Sequence, residues 1–454
     1  MKQSSIRAVS VIAAAICLMT GTAVMAEDLT PVGAERSASK DGLVPAFAGR
    51  EATPAGWEWD KVRGNFWKYK NEKPLYTIDA SNVDKYADKL SAGQVALIKQ
   101  LKGYRMAVYP SHRECQLPEF AEQNSTANLT AAKLDPSGET IQTAVFPGVA
   151  FPQPKNGAEA ILNYTSRYRG EGLEWTKAVT VISPRPGTTD WIDSIGPELF
   201  YFPTGKEGKT TPQDVNQLSV GAYFEVDTPA ALAGQAYAGR AYFGKDTETY
   251  YYFPGQRRVR RMPAYTHDAP VIGYENQYLI DESNMFNGLL DRFNWKLLGK
   301  KEMIVPYNDF GMYTFKDKLH DVATPDGISP EHRRYEVHRV WVVEATLKPT
   351  ARHADSKKIL YLDEDSWLAL VGEDYDAQGK LWKVRESYPI PVWELDGACD
   401  NEPFVQYDLV DGRYVFDASS IGQGGDIRYF KQINDPRFKP DFFTAESLRS
   451  VSER

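Results

Sequence analysis

The chain has 454 residues, of which 42% are hydrophobic, 12% aromatic and 25% charged. This length allows one large domain or two ordinary ones, and the aromatic content excludes a disordered chain. The formal net charge of −8 argues against a general nucleic-acid-binding protein. Composition therefore predicts a soluble globular protein and leaves its function open.

The first segment, residues 1–26, is typical of a secretory signal peptide. Lys2 and Arg7 form a positively charged start, an apolar stretch follows, and Val24 and Ala26 fit the small-residue pattern of a cleavage site. The alternative is a retained membrane anchor, which the short length and cleavage-like end disfavour. No later stretch reaches the ~18 apolar residues of a membrane-spanning helix. We therefore expect an exported protein without a transmembrane segment after cleavage.

Two cysteines, Cys115 and Cys399, remain after the predicted cleavage. In an oxidising compartment such a pair favours a disulfide, and the alternative is two free thiols. The sequence has no C-x-x-C motif, which argues against a redox role.

The domain organisation follows from where periodic patterns begin. Residues 27–75 are rich in Pro, Gly and Trp without periodicity, so we predict an extended N-terminal arm. Residues 76–454 are expected to form a single large domain. Helices are predicted near 91–102, where Ser91 and Gln94 make a capping box, and near 156–169 and 282–292.

Strand-like patterns separated by turn signals dominate from about residue 172 onwards. The run 357–388 is typical of a three-stranded meander, and strands this close in sequence are expected to pair antiparallel. The remaining strands are predicted at 176–183, 198–203, 219–226, 248–253, 256–262, 295–304 and 334–347.

Five motifs carry a family resemblance. In chain order they are LTPVGAERSASKDGLVPAFAG, FPGVAFPQPKNGAEAILNYTSRYRG, RRVRRMP, MFNGLLDRFNWKLLGKKEMIVPYN and RRYEVHRVWVVEATLKPTARHADSKKILYLDEDSW. Together they resemble the bacterial family called domain of unknown function 1329, over essentially the whole chain after residue 26.

The resemblance implies a mainly β fold related to the lipoprotein carriers LolA and LolB. That fold is a strongly curved antiparallel sheet forming an incomplete barrel, whose concave face is covered by helices and holds acyl chains. It also implies a periplasmic location, with outer-membrane association as one option. The implied partners are a transporter of the resistance-nodulation-division type and an outer-membrane protein.

The sequence carries no recognisable catalytic motif. Its six histidines lack metal-ligand spacing, and neither a nucleophile elbow nor a phosphate-binding loop is present. Asp363, Glu364 and Asp365 fit a hairpin turn better than a calcium loop. We therefore predict no catalytic residue, no metal and no cofactor.

An arginine cluster is unusual in this acidic chain: Arg257, Arg258, Arg260 and Arg261 lie in one predicted strand. The functional interpretation is contact with an anionic ligand group or an acidic partner surface. The alternative is an edge strand that its charges protect from aggregation.

Aromatic and aliphatic strand residues are the candidates for a ligand cavity. Alternation puts apolar side chains on both faces of these strands, so both faces must be covered. The candidates are Tyr250, Tyr252, Trp341, Val343, Leu360 and Leu362. Ordinary core packing is the alternative interpretation.

The leading hypothesis is a periplasmic carrier or accessory binding protein for a hydrophobic molecule such as a lipid, with an anionic headgroup as one option. The first alternative is an adaptor subunit of an envelope complex that binds no small molecule. The second is an enzyme acting on envelope glycans or lipids.

Overall fold

The computed structural model describes residues 28–263 and 265–452, so the predicted signal peptide lies outside the described residues. The α-helices in this part are α1 (Ala92–Gln100), α2 (Glu119–Ala131), α3 (Gly157–Thr165), α4 (Leu319–Val322) and α5 (Ala445–Ser452). Short 3-10 helices lie at Arg63–Asn65, Val83–Lys89, Pro254–Gln256, Ile280–Met285, Phe310–Tyr313, Pro330–His332, Trp393–Leu395 and Pro440–Phe442.

Strands make up most of the remaining structure. Those in the first half are β1 (Tyr76–Ile78), β2 (Met106–Val108), β3 (Lys133–Leu134), β4 (Ile141–Thr143), β5 (Gly172–Ile182), β6 (Ile192–Tyr201), β7 (Leu218–Glu225), β8 (Ala236–Tyr242), β9 (Lys245–Phe253) and β10 (Arg258–Arg261). Those in the second half are β11 (Phe293–Pro306), β12 (Ala323–Thr324), β13 (Gly327–Ile328), β14 (Tyr335–Leu347), β15 (Lys357–Asp363), β16 (Ala369–Tyr375), β17 (Leu381–Ser387), β18 (Ile390–Val392), β19 (Ala398–Asp400), β20 (Phe404–Asp408), β21 (Arg413–Ser419) and β22 (Arg428–Phe430).

A single sheet of 16 strands is the frame of the molecule. Its path runs β1-β2-β14-β15-β16-β17-β20-β21-β5-β6-β7-β8-β9-β10, while β11 also pairs with β14 and β22 with β5. The pairs are antiparallel except for a short parallel contact between Val108 and Tyr335. Within the described residues β1 and β10 end the path without pairing to each other, so the sheet does not close. The predicted fold class, a mainly β incomplete barrel, is confirmed.

Both faces of the sheet are buried, because alternate side chains enter different cores. Val405 and Phe416 point to a core that also holds α1; we call this the outer face. Phe404 and Val415, one residue earlier on the same strands, point to a core that holds α3 and much of the segment 265–292. We call this second face the inner face.

Of the first three helices, α1 agrees with the sequence prediction, α2 was not predicted and α3 is shorter than predicted. Ser91 caps α1, and its hydroxyl and the Gln94 side chain form the reciprocal capping box. Helix α2 has no counterpart among the predicted helices. Helix α3 ends at Thr165 rather than at residue 169, because the Ser166 hydroxyl donates to the Leu162 carbonyl and the chain then turns away.

The predicted helix over residues 282–292 is wrong. The structure has a 3-10 helix at Ile280–Met285, which the positive φ angles of Asn284 (48°) and Met285 (66°) interrupt, and then a loop that leads to β11. The apolar side chains of Phe286 and Leu290 are buried in the inner core. These side chains are thus buried against the sheet although the segment that carries them is not a helix.

Residues 28–75, the described part of the predicted N-terminal arm, lie against the body of the protein. The indole N–H of Trp367 donates to the Val32 carbonyl at 2.9 Å, and Arg113 donates to the Glu35 carbonyl at 2.7 Å. Backbone carbonyls of the arm thus accept hydrogen bonds from buried side chains of the segments that connect the strands.

Arg63 connects the arm to the C-terminal part of the chain. Its fully buried guanidinium donates to both carboxylate oxygens of Glu394, at 2.7 and 2.8 Å, and to Asp426 at 2.6 Å. It also lies 4.9 Å from the ring centre of Trp57. Such a bidentate, desolvated pair is costly to break from one side only.

Cys115 and Cys399 form a disulfide across 284 residues, with their Cα atoms 5.2 Å apart. Both cysteines belong to a small core between β14, β15 and β16. The bond therefore connects the segment after β2 to β19, far along the chain.

Among the described residues no helix is both long and apolar enough to cross a membrane.

We predict that Arg63→Leu lowers the free energy of unfolding by about 3–5 kcal/mol, because the carboxylates of Asp426 and Glu394 lose their buried partner. Chemical denaturation followed by tryptophan fluorescence measures this change. The matched control is Arg36→Leu, an exposed arginine of the same arm, with an expected loss of about 0.5 kcal/mol or less. Equal losses in the two variants would mean that the arm is not held by Arg63.

Candidate functional site

A cavity of about 290 Å³ lies on the inner face of strands β5 to β9. The segment 265–290 covers it from the opposite side, and the end of α3 closes one end. Its volume is near the lower end of the range for small-molecule pockets, about 300–1,000 Å³. The sheet thus carries a filled core along one half of its inner face and a cavity along the other.

Aromatic rings form much of the cavity wall. Phe224 of β7 and Tyr237 of β8 are stacked with ring centres 4.7 Å apart, and Tyr251 of β9 lies edge-on to Phe224 at 6.2 Å. Tyr251 does not itself line the cavity; besides Phe224 and Tyr237, the aromatic lining residues are Phe200, Tyr242, Phe243, Tyr265, Tyr274, Tyr278 and Phe286. Such rings bury alkyl groups well, while the tyrosine hydroxyls retain polar tips.

Small residues on the strands create the space. Ala222, Gly239 and Ala241 occupy inward positions on β7 and β8, where a larger side chain would fill the cavity. A Cβ atom at Gly239 would lie 2.2 Å from the hydroxyl oxygen of Tyr237, so glycine allows that ring to lie flat along the strand. The alternation of small and aromatic residues therefore shapes the cavity.

Exposed lining residues mark the mouth. Gly244 and Lys245 in the β8–β9 turn and Asn287 and Gly288 in the covering segment are solvent-exposed while they also line the cavity. The Lys245 ammonium lies 3.5 Å from the centre of the Tyr242 ring. None of residues 28–75 lines the cavity, so the described part of the arm does not plug it.

Charged side chains meet at the closed end of the cavity. Arg167 donates to Asp400 at 3.1 Å, and Arg169 donates to Glu402 at 3.0 Å. Helix α3 ends at Thr165, and both arginines lie in the irregular segment that follows it. Burial and the neighbouring Glu402 charge raise the pKa of Asp400 to about 7, whereas Arg169 and Arg167 outweigh desolvation and lower the pKa of Glu402.

Two further carboxyls, Glu198 and Asp417, line the cavity beside this cluster. Asp417 accepts hydrogen bonds from the hydroxyls of Thr180 and Tyr278. Burial raises the pKa of Asp417, and burial together with the charges of Asp417 and Glu402 raises the pKa of Glu198 well above its usual range. The site therefore contains more carboxyls than cations.

The cavity candidates named from sequence lie elsewhere. Tyr250 and Tyr252 point to the outer face, where they pack near Phe443 and Leu448 of the C-terminal segment. Trp341, Val343, Leu360 and Leu362 lie in the inner core with α3, and Trp341 stacks on Trp367 at 5.9 Å. None of the six is among the cavity-lining residues, so their role in ligand binding stays a prediction.

The charged cavity residues that sequence reasoning missed have only a weak signal in the sequence. Glu198 follows Gly196 and Pro197 in a strand, and an acid at an inward position of an apolar strand is unusual. Arg167 and Arg169 occupy alternate positions in the segment that follows α3. Arg167, Arg169 and Asp417 come to line the same cavity because β5 pairs with β21. The spacing of these residues in the sequence does not predict that pairing.

The arginine cluster is exposed at the free edge of the sheet. Arg258, Arg260 and Arg261 lie on β10, while Arg257 precedes the strand with a left-handed φ of 49°. Val259 between them packs on the outer-face core, opposite Tyr252. Within the described residues none of the four arginines has a carboxylate within 4 Å, and none lines the cavity.

Two buried triads bring potential metal ligands within 4.8 Å of one another: His338, Asp363 and Asp365, and Glu282, Asp355 and Asp374. In the first, Arg113 donates to both oxygens of Asp365. In the second, Lys383 pairs with Glu282, Lys358 with Asp355 and Arg385 with Asp374. Cationic side chains thus already balance Asp365 and the three carboxylates of the second triad, while Asp363 accepts hydrogen bonds from the hydroxyls of Tyr307 and Ser366.

We predict that Glu198→Gln makes stability less sensitive to rising pH. Because the folded protein keeps the Glu198 proton above the ordinary pKa of 4.5 while the unfolded chain loses it, the free energy of unfolding falls as pH rises above that value. The free energy of unfolding of the variant should therefore fall less steeply than that of the parent as pH rises from about 4.5 in denaturation experiments. The control is Glu207→Gln, an exposed glutamate, whose curve should parallel that of the parent. A parallel curve for Glu198→Gln would contradict the raised pKa.

Comparisons with known proteins place the chain in a family. The model of the family described as "Protein of unknown function (DUF1329)" matches residues 77–449. Uncharacterized protein PA3922 of Pseudomonas aeruginosa is 34% identical over 442 residues, which cover 94% of this chain and 92% of that protein.

Three solved structures have partial similarity to the chain. A domain described as an outer membrane lipoprotein-sorting protein, from Vibrio parahaemolyticus, has a TM-score of 0.44 and 14% identity, covering 64% of this chain and 98% of its own. A DUF1329 family protein from Desulfovibrio piger has a TM-score of 0.40 and 16% identity, covering 61% and 92%. The LolA superfamily protein NE2245 from Nitrosomonas europaea has a TM-score of 0.35 and 11% identity, covering 64% and 100%.

The match across residues 77–449 and the full-length similarity to PA3922 agree with the motifs that the sequence displays. The chain belongs to the DUF1329 family.

Proposed function

We propose that this protein is a periplasmic carrier that holds a hydrophobic molecule, such as a lipid, in the inner-face cavity. The observation that carries the proposal is the aromatic wall formed by Phe224, Tyr237 and neighbouring rings around a cavity of about 290 Å³. Each methylene group buried there would contribute about 0.8 kcal/mol. The export signal predicted for residues 1–26 supports the location.

The cover of the cavity is irregular in structure. The segment 265–290 contains a single short 3-10 helix and otherwise loops, and it has positive φ at His267, Glu275 and Asn276. It is held to the sheet by the buried pair of Glu282 with Lys383, so release of a ligand would require this contact to open or the ligand to pass through the mouth. Delivery would require a second envelope component, and the transporter and outer-membrane partners implied by the family resemblance stay predictions.

We predict that native mass spectrometry of the protein taken from its own cell envelope shows a discrete extra mass that organic extraction releases as lipid. Ala222→Phe should reduce the loaded fraction strongly, because the phenyl ring would occupy the cavity between β6 and β8. The matched control is Ala377→Phe in the exposed turn between β16 and β17, which should load like the parent.

Two results would contradict the carrier proposal. One is a clean apoprotein mass combined with no uptake of added lipids at micromolar concentration. The other is equal loading of the parent and Ala222→Phe, with circular dichroism showing both folded, because bound lipid would then lie outside the cavity.

A second candidate function, that of an adaptor subunit, is favoured by the exposed arginines at the free sheet edge. Arg258, Arg260 and Arg261 present both positive charge and the unpaired backbone groups of β10. An acidic partner strand could pair with this edge by β-augmentation. The sheet edge and the cavity mouth are different surfaces, so separate experiments test the adaptor and carrier functions.

We predict that a photo-crosslinker at exposed Gln256 yields a discrete adduct in the native envelope and that Arg258→Glu with Arg260→Glu abolishes it, because charge reversal repels an acidic surface. The control is Lys206→Glu with Lys209→Glu, exposed lysines in another loop. The adaptor function fails if no adduct forms, or if the arginine and lysine variants give the same adduct as the parent.

A further inference from the structure

The volume and shape of the inner-face cavity limit the amount of hydrocarbon that it can hold. We propose that the cavity binds one unbranched alkyl chain and limits its buried length to about twelve carbons. The ligand is then a single-chain amphiphile rather than a lipid with two or more buried chains. This inference rests on the proposed carrier function and specifies its ligand.

The volume of the cavity sets the number of buried carbon atoms. An apolar protein cavity of about 150 Å³ is filled by one benzene molecule, which has six carbons. The inner-face cavity has a volume of about 290 Å³. It therefore has room for about twelve carbon-sized atoms, and two chains of that size would need about twice the volume.

The cavity is elongated across the sheet. Its lining residues include members of five adjacent strands, β5 to β9. Neighbouring strands lie about 4.8 Å apart, so the lining spans roughly 19 Å. Three bonds of an extended chain cover about 3.3–3.6 Å, which gives about 13 Å for twelve carbons. One extended chain thus fits along the cavity, whereas two chains side by side exceed its volume.

The wall between the two ends suits hydrocarbon. Small residues on β7 and β8 and aromatic rings form much of it. Two of the tyrosine hydroxyls are already bonded within the protein, because Tyr278 donates to Asp417 and Tyr265 accepts from the Ile272 backbone N–H. These rings therefore offer their apolar surface to an alkyl chain rather than a free polar group.

Charged side chains end the apolar wall at the closed end of the cavity. Arg167 donates to Asp400 at 3.1 Å, and Arg169 donates to Glu402 at 3.0 Å. A chain that extended past this point would have to separate these pairs and leave a charge buried without its partner. The closed end therefore limits how far the chain can enter.

The cover is anchored to the sheet by buried contacts, so the cavity cannot widen on that side without breaking them. The Asp281 carboxylate lies 2.9 Å from Nε2 of His353. The Glu282 carboxylate accepts from Lys383 at 2.5 Å and from Gln406 at 2.8 Å. Lifting the cover would leave these charges buried without partners, which is costly. Fixed walls keep the volume, and with it the chain length, constant.

The chain enters through the mouth, and the headgroup stays there. The mouth is bounded by the β8–β9 turn, by residues 287–288 of the cover and by the loop between β3 and β4. A Cβ atom at Gly244 would lie 2.9 Å from Cγ2 of Thr140, so the turn and this loop are in close contact. The polar headgroup then lies in solvent beside exposed Lys245.

The experiment measures affinity against chain length with one constant headgroup. The probes are alkylphosphocholines with chains of eight to sixteen carbons, each below the concentration at which it forms micelles. Microscale thermophoresis measures their binding to the delipidated protein. Affinity should rise about fourfold per added methylene up to about twelve carbons and then level off, because further methylenes remain in water.

A two-chain probe with the same headgroup tests the number of chains. Dihexanoylphosphatidylcholine carries as many chain carbons as dodecylphosphocholine, divided over two chains. It should bind about tenfold or more weakly, because only one of its short chains enters the cavity. Native mass spectrometry should show one alkylphosphocholine molecule bound per protein.

Two substitutions should move the levelling-off point in opposite directions. Ala222→Leu adds three carbons to the wall and should shift the point to about nine carbons, whereas Leu290→Ala removes three and should shift it to about fifteen. Ala377→Leu, in the exposed turn between β16 and β17, should keep the parent value. Circular dichroism checks the folding of each variant, and a general destabilisation would weaken the binding of all chain lengths alike.

The results that overturn the inference are distinguishable from failure of the carrier function. Affinity that still rises through sixteen carbons, a two-chain probe that binds as tightly as dodecylphosphocholine, or a levelling-off point that Ala222→Leu leaves unchanged would each reject the single-chain limit and leave a hydrophobic carrier. Absence of binding by every probe would reject both the carrier function and the limit.

Discussion

The structure depends on one constraint: a single open sheet that is apolar on both faces must be covered on both. Adjacent residues such as Phe404 and Val405 enter opposite cores, so neither face can be left in water. Helix α1 and the 3-10 helices at Val83–Lys89, Phe310–Tyr313 and Trp393–Leu395 cover the outer face, and α3 with the segment 265–292 covers the inner one. Where the inner cover passes over small residues such as Ala222 and Gly239, it leaves a cavity rather than a filled core.

Buried charge is the second organising feature, and it is distributed unevenly. In the sheet centre Lys358, Lys383 and Arg385 are matched by carboxylates, and Arg63 is matched at the arm. At the closed end of the cavity the carboxyls outnumber the guanidiniums. This imbalance lies where the charged side chains meet the aromatic wall of the cavity.

Much of the fold could be predicted because strand patterning and turn signals are local, and the family motifs are contiguous in sequence. The helix over 282–292 was mispredicted because Met285, Phe286 and Leu290 have helical spacing, yet the sheet beneath them supplies a burial site that an extended loop fills equally well. Helix α2 escaped prediction because buried Asn124 and Asn128 bond to the backbone of residues 145–149 and elsewhere, so its buried side is polar.

The sequence by itself determined that the strand 248–253 is aromatic on both faces and that this acidic chain carries one arginine-rich strand. It also determined that an apolar segment, residues 1–26, precedes the rest of the chain. Only the tertiary structure decided which face is the inner one: Tyr251 contacts the cavity rings, while Tyr250 and Tyr252 pack under the C-terminal segment. Alternation relates side chains within a strand but carries no information about what covers each face. The meeting of Glu198, Asp417 and Arg169 likewise depends on pairings between strands far apart in sequence, which local patterns do not encode.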